Sequence, residues 1–327
     1  MSPLPRLALC SHHPLNRDNI HLSRSTKDGL SGSETAEIFI HASIADSTRK
    51  AYRADLAHFA AWGGDLPATS ETVARYLADH ASDLAPASLA RRVATLSKVH
   101  AANDWPNPCQ SEMVRATMRG IKRVKGTAQD RAKPLLREDL FLILDAMGTD
   151  PRAQRDRALL LIGWAGGFRC SELTGLDWSD VEEVREGLVL HLRRSKTDQM
   201  GQGRKIGVPL GRTRNCPVAA LAGWRKVSEC DEGPIFRPVD RHGHIQLGCL
   251  RGDAVSTILR NRLTKAGIDS ESYSGHSLRA GLATSAIKAG VPTYKVRAQT
   301  GHASDAMLSR YVRDSEMFDG NAAGVLL

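Results

Sequence analysis

The sequence predicts a mainly α-helical protein of two domains: an all-helical N-terminal domain and a mostly helical C-terminal one with a small antiparallel β-sheet. Three observations carry this. Apolar residues recur at helical spacing through most of the chain, the pattern of helices that bury one face. Two short apolar runs, 187–193 and 205–210, flank the polar, glycine-containing stretch 195–203, the pattern of a hairpin. Between Arg119 and Arg137 stand seven Lys or Arg residues and one acid, Asp130, with Gly126 and Pro134 inside the run. That run separates two helical blocks, and at 327 residues each can bury its own core.

In order along the chain, residues 1–33 are rich in Pro, Ser, His and Asp without any period, and are expected to be a disordered arm. The first domain is expected over 34–125. Its first helix starts near Thr48, with Tyr52, Leu56, Phe59 and Ala60 on one face and a stop at Gly63-Gly64. Ser70 is positioned to cap the next. A helix over 88–102 turns Leu89, Val93, Leu96 and Val99 inward and leaves Arg91, Arg92 and Lys98 outside. A shorter one, 111–123, ends on a basic face with Arg119, Lys122 and Arg123. A basic linker is expected over 126–135, either simply solvated or lying along a phosphate backbone. The second domain, 136–327, opens with helices at 137–147 and 156–166, then the hairpin, then helices near 216–228, 251–266, 277–289, 292–299 and 304–313.

Composition narrows the function classes. The chain carries 45 Lys and Arg against 36 Asp and Glu, a formal charge of +9, which suits an anionic partner such as nucleic acid. The start has no sustained apolar core, so no signal peptide is expected. The longest apolar stretch, 158–168, is too short and glycine-rich to span a bilayer, so a soluble, cytoplasmic chain follows. Cys10, Cys109, Cys170, Cys216, Cys230 and Cys249 show no paired spacing and read as reduced thiols, without a disulfide framework or zinc site. No GxGxxG or GxxxxGK element is present, so no nucleotide-dependent chemistry, cofactor or metal is implied.

The chemistry-bearing residues lie in the second block. Arg169 follows an apolar helix and the Gly166-Gly167 break, with Glu172 three residues on. It serves either an anion or that local acid. Lys196 lies at the hairpin tip. His276 and Arg279 share one face of a helix start for which Ser277 is the expected cap, a place that favours anions. Alternatively the histidine pairs with an acid. His302 precedes a further helix that carries Tyr311, which by itself reads equally as a partly buried aromatic.

Taken as an ordered set of Arg, Lys, His-x-x-Arg, His and Tyr, these residues resemble the tyrosine recombinase (phage integrase) family. Arg169 in GFRCSEL matches the family's first arginine, Glu172 its neighbouring acid and Lys196 its hairpin lysine. His276 and Arg279 in GHSLRAG match the His-x-x-Arg element. His302 in TGHAS falls where the family carries His or Trp, and Tyr311 falls at the nucleophile. The segment MRGIKRVKGTAQDRAKPL, the GHSLRAG form, and Asp314-Ser315-Glu316 with a terminal Leu326-Leu327 are similar to the branch that includes Cre recombinase, which has Trp at the position of His302. The resemblance covers 34–327.

It implies a core-binding domain followed by a catalytic domain. It also implies cleavage of double-stranded DNA at inverted-repeat half-sites through a 3′-phosphotyrosyl bond, without ATP or metal. In the implied chemistry Arg169 and Arg279 hold the phosphate, Lys196 protonates the 5′ oxygen, and His276 assists proton removal from Tyr311 or binds the phosphate. His302 donates to a non-bridging oxygen, and Glu172 buttresses His276 or Arg169. Strand exchange would pass through a Holliday junction in a homo-tetramer, with the tail 314–327 packing into a neighbouring protomer. Arg91, Arg92, Lys98, Arg119, Lys122 and Arg123 in the first domain, and Arg251, Arg260 and Arg262 in the second, are candidate DNA contacts. The rival readings are a DNA-relaxing type IB topoisomerase and a non-enzymatic DNA-binding regulator on the same scaffold.

Overall fold

The computed structural model describes residues 43–127, 132–193, 203–308 and 311. The chain divides into two compact units, Met1–Gln129 and Asp130–Leu327. Lys196, the hairpin tip, the N-terminal arm and the tail 314–327 lie outside the described residues. No helix among the described residues is long and apolar enough to cross a membrane.

The first unit is a small helical bundle: α1 (Asp46–Ala61), α2 (Ser70–Asp79), α3 (Pro86–Ala102) and α4 (Glu112–Lys125). Phe59, Val73, Tyr76, Leu77, Leu89, Leu96, Val114 and Ile121 make its core. Thr69, rather than Ser70, caps α2, its hydroxyl accepting from the Thr72 N–H; Ser70 is already helical. Ser111 caps α4, and Lys122, Arg123 and Lys125 sit in its last turn, where the helix dipole favours cations.

The face of α1 differs from the sequence expectation. Asp55 is buried beside Phe59, while Ala60 is exposed. The carboxylate is tolerated because α3 supplies its partners. Arg91 donates from Nε at 3.0 Å and Nη2 at 2.7 Å, and the Thr95 hydroxyl donates at 2.9 Å. Arg92 also turns inward, its guanidinium donating to the Tyr76 hydroxyl. The side chain of Arg92 is only 11% exposed, which corrects its placement on the outer face. Arg91 is half exposed, but its fork is committed to Asp55. Lys98, Arg119, Lys122 and Arg123 do face solvent.

The second unit is the mainly helical body with a small antiparallel sheet that the sequence predicts. Its elements are α5 (Arg137–Asp145), α6 (Pro151–Gly166), α7 (Cys170–Thr174), β1 (Val181–Val184), β2 (Gly187–Leu192), β3 (Arg204–Pro209), α8 (Pro217–Ser228), α9 (Gly252–Lys265), α10 (His276–Lys288) and α11 (Thr293–Thr300). A further helical turn spans 305–308, and Tyr311 is helical as well. The sheet order is β1-β2-β3, with Leu188 opposite Val208 and Leu190 opposite Ile206. Those four side chains are buried, so the period of two sets the register. The sequence reading missed β1, because only Val181 of Val-Glu-Glu-Val turns partly inward.

The start of α6 is also earlier than the apolar run suggests. Asp150 caps it through the Ala153 N–H and Pro151 takes the first helical position. Asp156 in its second turn is buried between Arg155, whose Nε donates at 2.6 Å, and Arg262 from α9, whose Nε and Nη2 lie at 2.8 and 2.7 Å. Arg262 is thus a core residue with its fork spent on Asp156, and as a DNA contact it is withdrawn. Arg251 and Arg260 remain at the surface, the first beside Asp253 and the second donating to the Tyr273 carbonyl.

One extended segment bears on the site. The chain at 132–136 is laid across the start of α10: the Lys133 N–H donates to the Ser272 carbonyl and the Leu135 N–H to the Ser277 carbonyl. The Trp164 indole N–H clamps the Leu135 carbonyl at 2.9 Å. This approach requires glycine at 281, since a Cβ there would sit 1.8 Å from the Leu135 oxygen.

Candidate active site

Arg169 is delivered by a chain reversal. Gly167 ends α6 in the left-handed conformation at φ +60°, and two residues later Arg169 is the N-cap of α7. Glu172 closes that cap: its Oε2 accepts the Arg169 backbone N–H at 3.0 Å and its Oε1 accepts Arg169 Nη1 at 2.5 Å. Glu172 is almost fully buried and Arg169 is 15% exposed, so the pair is a charge-assisted contact with one edge open to solvent.

Arg279 enters from α10. The helix begins at His276, and its first turn is organised by Ser274, whose hydroxyl accepts the His276 N–H. Ser277 is not the cap: it is buried, and its hydroxyl accepts the Ser274 N–H at 2.9 Å. His276 is exposed at the helix start, whereas Arg279 is 3% exposed one turn later. Arg279 Nη1 donates to the Gly167 carbonyl at 2.8 Å and to the Thr300 carbonyl. The end of α6 and the end of α11 are therefore pinned by one guanidinium. Burial, and then Arg169, push its pKa down to about 10, so it stays a cation at neutral pH.

His302 is buried, its Nδ1 2.7 Å from the Thr300 hydroxyl. Burial first, then Arg279, Arg169, His276 and Arg204, push its pKa down to about 4. Its ring lies 5.9 Å, centroid to centroid, from that of Tyr311. Tyr311 is half buried against the cluster of Ala283, Ile287, Val296 and Leu308. Of the residues singled out in the sequence, the structure thus gathers Arg169, Glu172, Arg279, His302 and Tyr311, with His276 at the rim of the same helix.

Sequence reasoning missed two participants. Arg204, the first residue of β3, reaches Glu172 Oε2 at 3.4 Å and donates to the Gln299 carbonyl at 3.0 Å. Thr300 sits between Arg279 and His302. The only sequence signal for Thr300 was its place two residues before His302, and for Arg204 there was none, because its direction depends on the sheet register.

The depressed pKa of His302 has a consequence for stability. The unfolded chain binds a proton at a histidine near pH 6.5, while the folded site resists it until about pH 4. The unfolded state therefore holds more protons in that window, and stability falls as pH drops through it. The melting midpoint is expected to decline from pH 6.5 towards 4, and less steeply in His302→Gln; parallel curves would contradict the buried, neutral imidazole.

Residues 133–317 match the model of the Phage integrase family. An integrase/recombinase xerD homolog from Selenomonas ruminantium is 36% identical over 290 residues, covering 86% of this chain and 85% of that protein. Recombinase cre from Escherichia phage P1 is 26% identical over 273 residues, covering 77% and 78%. In fold, the chain is similar to a lambda integrase dimer bound to a COC′ core site, with a TM-score of 0.62 at 20% identity over 88% of this chain and 96% of the other. It is also similar to XerH site-specific recombinase bound to palindromic difH substrate, with a TM-score of 0.59 at 19% identity over 89% and 82%. With its second unit matched by the family model and most of its length shared with the Selenomonas relative, the chain belongs to the phage integrase family, the tyrosine recombinases.

Proposed function

We propose that the protein is a site-specific DNA recombinase that cleaves and rejoins duplex DNA through a 3′-phosphotyrosyl bond on Tyr311 and exchanges strands through a Holliday junction. One observation carries the reading: two guanidiniums, Arg169 and Arg279, converge beside a buried histidine whose ring neighbours Tyr311. Such a set suits a phosphodiester, because two arginines neutralise the non-bridging oxygens as charge builds in the transition state. Arg279 spends Nη1 on two carbonyls, which orients the rest of its fork towards phosphate. Glu172 holds Arg169 by both backbone and side chain, so the cation is aimed before DNA arrives. His276, exposed at the start of α10, adds a donor to the phosphate. Lys196 is proposed as general acid to the 5′ oxygen.

Attack by a tyrosine conserves the backbone linkage as a phosphotyrosyl ester, so rejoining needs no external energy. The exposed Lys98, Arg119, Lys122 and Arg123, with Arg251 and Arg260, are proposed to contact phosphates of paired half-sites. A lambda integrase tetramer is known bound to a Holliday junction, and the same assembly is proposed for this chain, with 314–327 linking protomers.

The test begins with the full chain selecting its binding sequence from random duplex DNA. A duplex of that sequence, nicked beside the scissile phosphate so that the cleaved flank diffuses away, should trap a detergent-stable adduct. Peptide mapping should place the DNA on Tyr311 through a 3′ phosphate, with a free 5′ hydroxyl on the released piece. Linkage to another residue, or through a 5′ phosphate, overturns the reading.

A further inference from the structure

We infer that Arg204 is a positioning residue for strand cleavage. Its guanidinium ties Glu172, and through it Arg169, to the end of α11, and so sets the spacing between the two sides of the candidate site. This deepens the recombinase reading and rests on it. The end of α11 leads to the inference. The last carbonyls of an α-helix have no partner further along the helix. Here the Arg297 carbonyl accepts the Gly301 N–H, and those of Ala298, Gln299 and Thr300 are met by two guanidiniums. Arg204 Nη1 lies 3.4 Å from the Ala298 oxygen and 3.0 Å from that of Gln299, while Arg279 takes Thr300. Cations at this end also complement the helix dipole. Gly301 follows in the left-handed conformation at φ +68°, and a Cβ there would sit 2.5 Å from Arg204 Nη1. The guanidinium therefore lies close against the backbone that leads into His302.

The second Nη of Arg204 reaches the carboxylate. Nη2 lies 3.4 Å from Glu172 Oε2, the oxygen that also accepts the Arg169 backbone N–H, while Oε1 holds Arg169 Nη1. Glu172 thus lies among the guanidiniums of Arg169, Arg204 and Arg279. Arg204 comes from the first position of β3, a strand fastened to α11 a second time by Gln299. The Gln299 amide donates to the Gly207 carbonyl at 3.0 Å and to the Ala165 carbonyl at 2.9 Å. The strand, the end of α6 and the end of α11 therefore form one frame, and Arg204 is its tie across the site.

The division of labour among the three arginines follows. Both Nη atoms of Arg204 are engaged by the protein and its side chain is only 21% exposed, so it braces the site and leaves the phosphate to Arg169 and Arg279. The tie needs a fork. A planar guanidinium spans the carboxylate and the carbonyls at once, whereas an ammonium is a point charge on a flexible stem and serves one or the other. With the tie cut, Arg169 on its helix cap and Arg279 with the end of α11 are no longer held to one spacing. Group transfer is sensitive to that spacing, because a displacement of about 1 Å can cost about 10²-fold in rate.

The test has two parts. In full-length protein with 15N-labelled arginine and no DNA, Arg204 Nη1 and Nη2 should give separate signals, identified by their absence in Arg204→Lys. A fork held at both ends cannot rotate freely about its Cζ–Nε bond, and a single averaged signal overturns the tie. On the nicked duplex selected above, Arg204→Met and Arg204→Lys should both bind as the wild type does, yet form adduct about 10²-fold more slowly in a single turnover. Binding lost in either variant would show that Arg204 supports the fold or the DNA contact instead of the chemistry. A rate restored by lysine would show that charge alone suffices, and rates equal to wild type would show that the tie is idle. Each of these results overturns the proposal. A wild-type adduct that does not map to Tyr311 would sink the recombinase reading, and the arginine signals would still report whether the tie exists.

Discussion

Tyr311→Phe is expected to eliminate covalent adduct formation while leaving the fold and DNA binding in place. The change removes one oxygen and keeps the ring, which packs beside Ala283, Ile287, Val296 and Leu308. Loss of a hydroxyl from a half-buried ring outside the main core falls within the range of about 0.5 kcal/mol typical of mild substitutions. The protein therefore stays folded, and its affinity for the selected duplex is expected to match the wild type. Chemistry responds differently, because no phosphotyrosyl ester forms without the phenolic oxygen. Gel-shift binding and adduct yield, measured on the same DNA, separate the two effects. Adduct that persists in the phenylalanine variant would show that the nucleophile is another residue, and a parallel collapse of binding would show that Tyr311 is structural.

Asp156→Asn is expected to be the most damaging single change to the catalytic unit away from its chemistry. Asp156 is 4% exposed, Arg155 5% and Arg262 10%; Arg262 directs Nε and Nη2 at Oδ2, while Arg155 directs Nε at Oδ1 and gives Nη1 to the Arg237 carbonyl. Asparagine keeps the shape but leaves two buried cations without a counter-charge. Breaking such a group by removing one partner costs about 3–5 kcal/mol. For a unit of this size that lowers the melting midpoint by about 6–20 °C. Replacing all three with apolar residues of similar volume should recover most of the loss, because the desolvation of the charges disappears with the charges. A midpoint unchanged in Asp156→Asn would show that water reaches the cluster.

How much of this was legible in the sequence depends on how local each feature is. The helical class and the hairpin could be read because periodicity and short spacing carry them, whereas Arg169, Glu172, His276, Arg279, His302 and Tyr311 stood out only as an ordered set resembling the tyrosine recombinases. Features that depend on a distant partner could not. Asp55 looks like a solvent-facing acid until α3 brings Arg91 and Thr95 to it. Arg92 and Arg262 look like surface cations until Tyr76 and Asp156 are placed beside them. Thr300 looks like an ordinary helix-end residue until the Arg279 guanidinium reaches its carbonyl and His302 its hydroxyl. The cap of α2 was misjudged by one residue, Thr69 in place of Ser70, and that of α10 by two, Gly275 in place of Ser277, because several neighbouring residues are suited to the position and only backbone direction decides.

The strap at 132–136 gives the fold a mechanical property. The polypeptide enters the second unit by threading under the Trp164 indole and hydrogen-bonding beside the turn that launches α10. Any pull exerted along that entering strand is borne first by the peptide groups at Ser272 and Ser277, on either side of His276, with Arg279 one turn further on. The candidate site is thus anchored at the point where traction on the chain would arrive, and α10 takes that load directly.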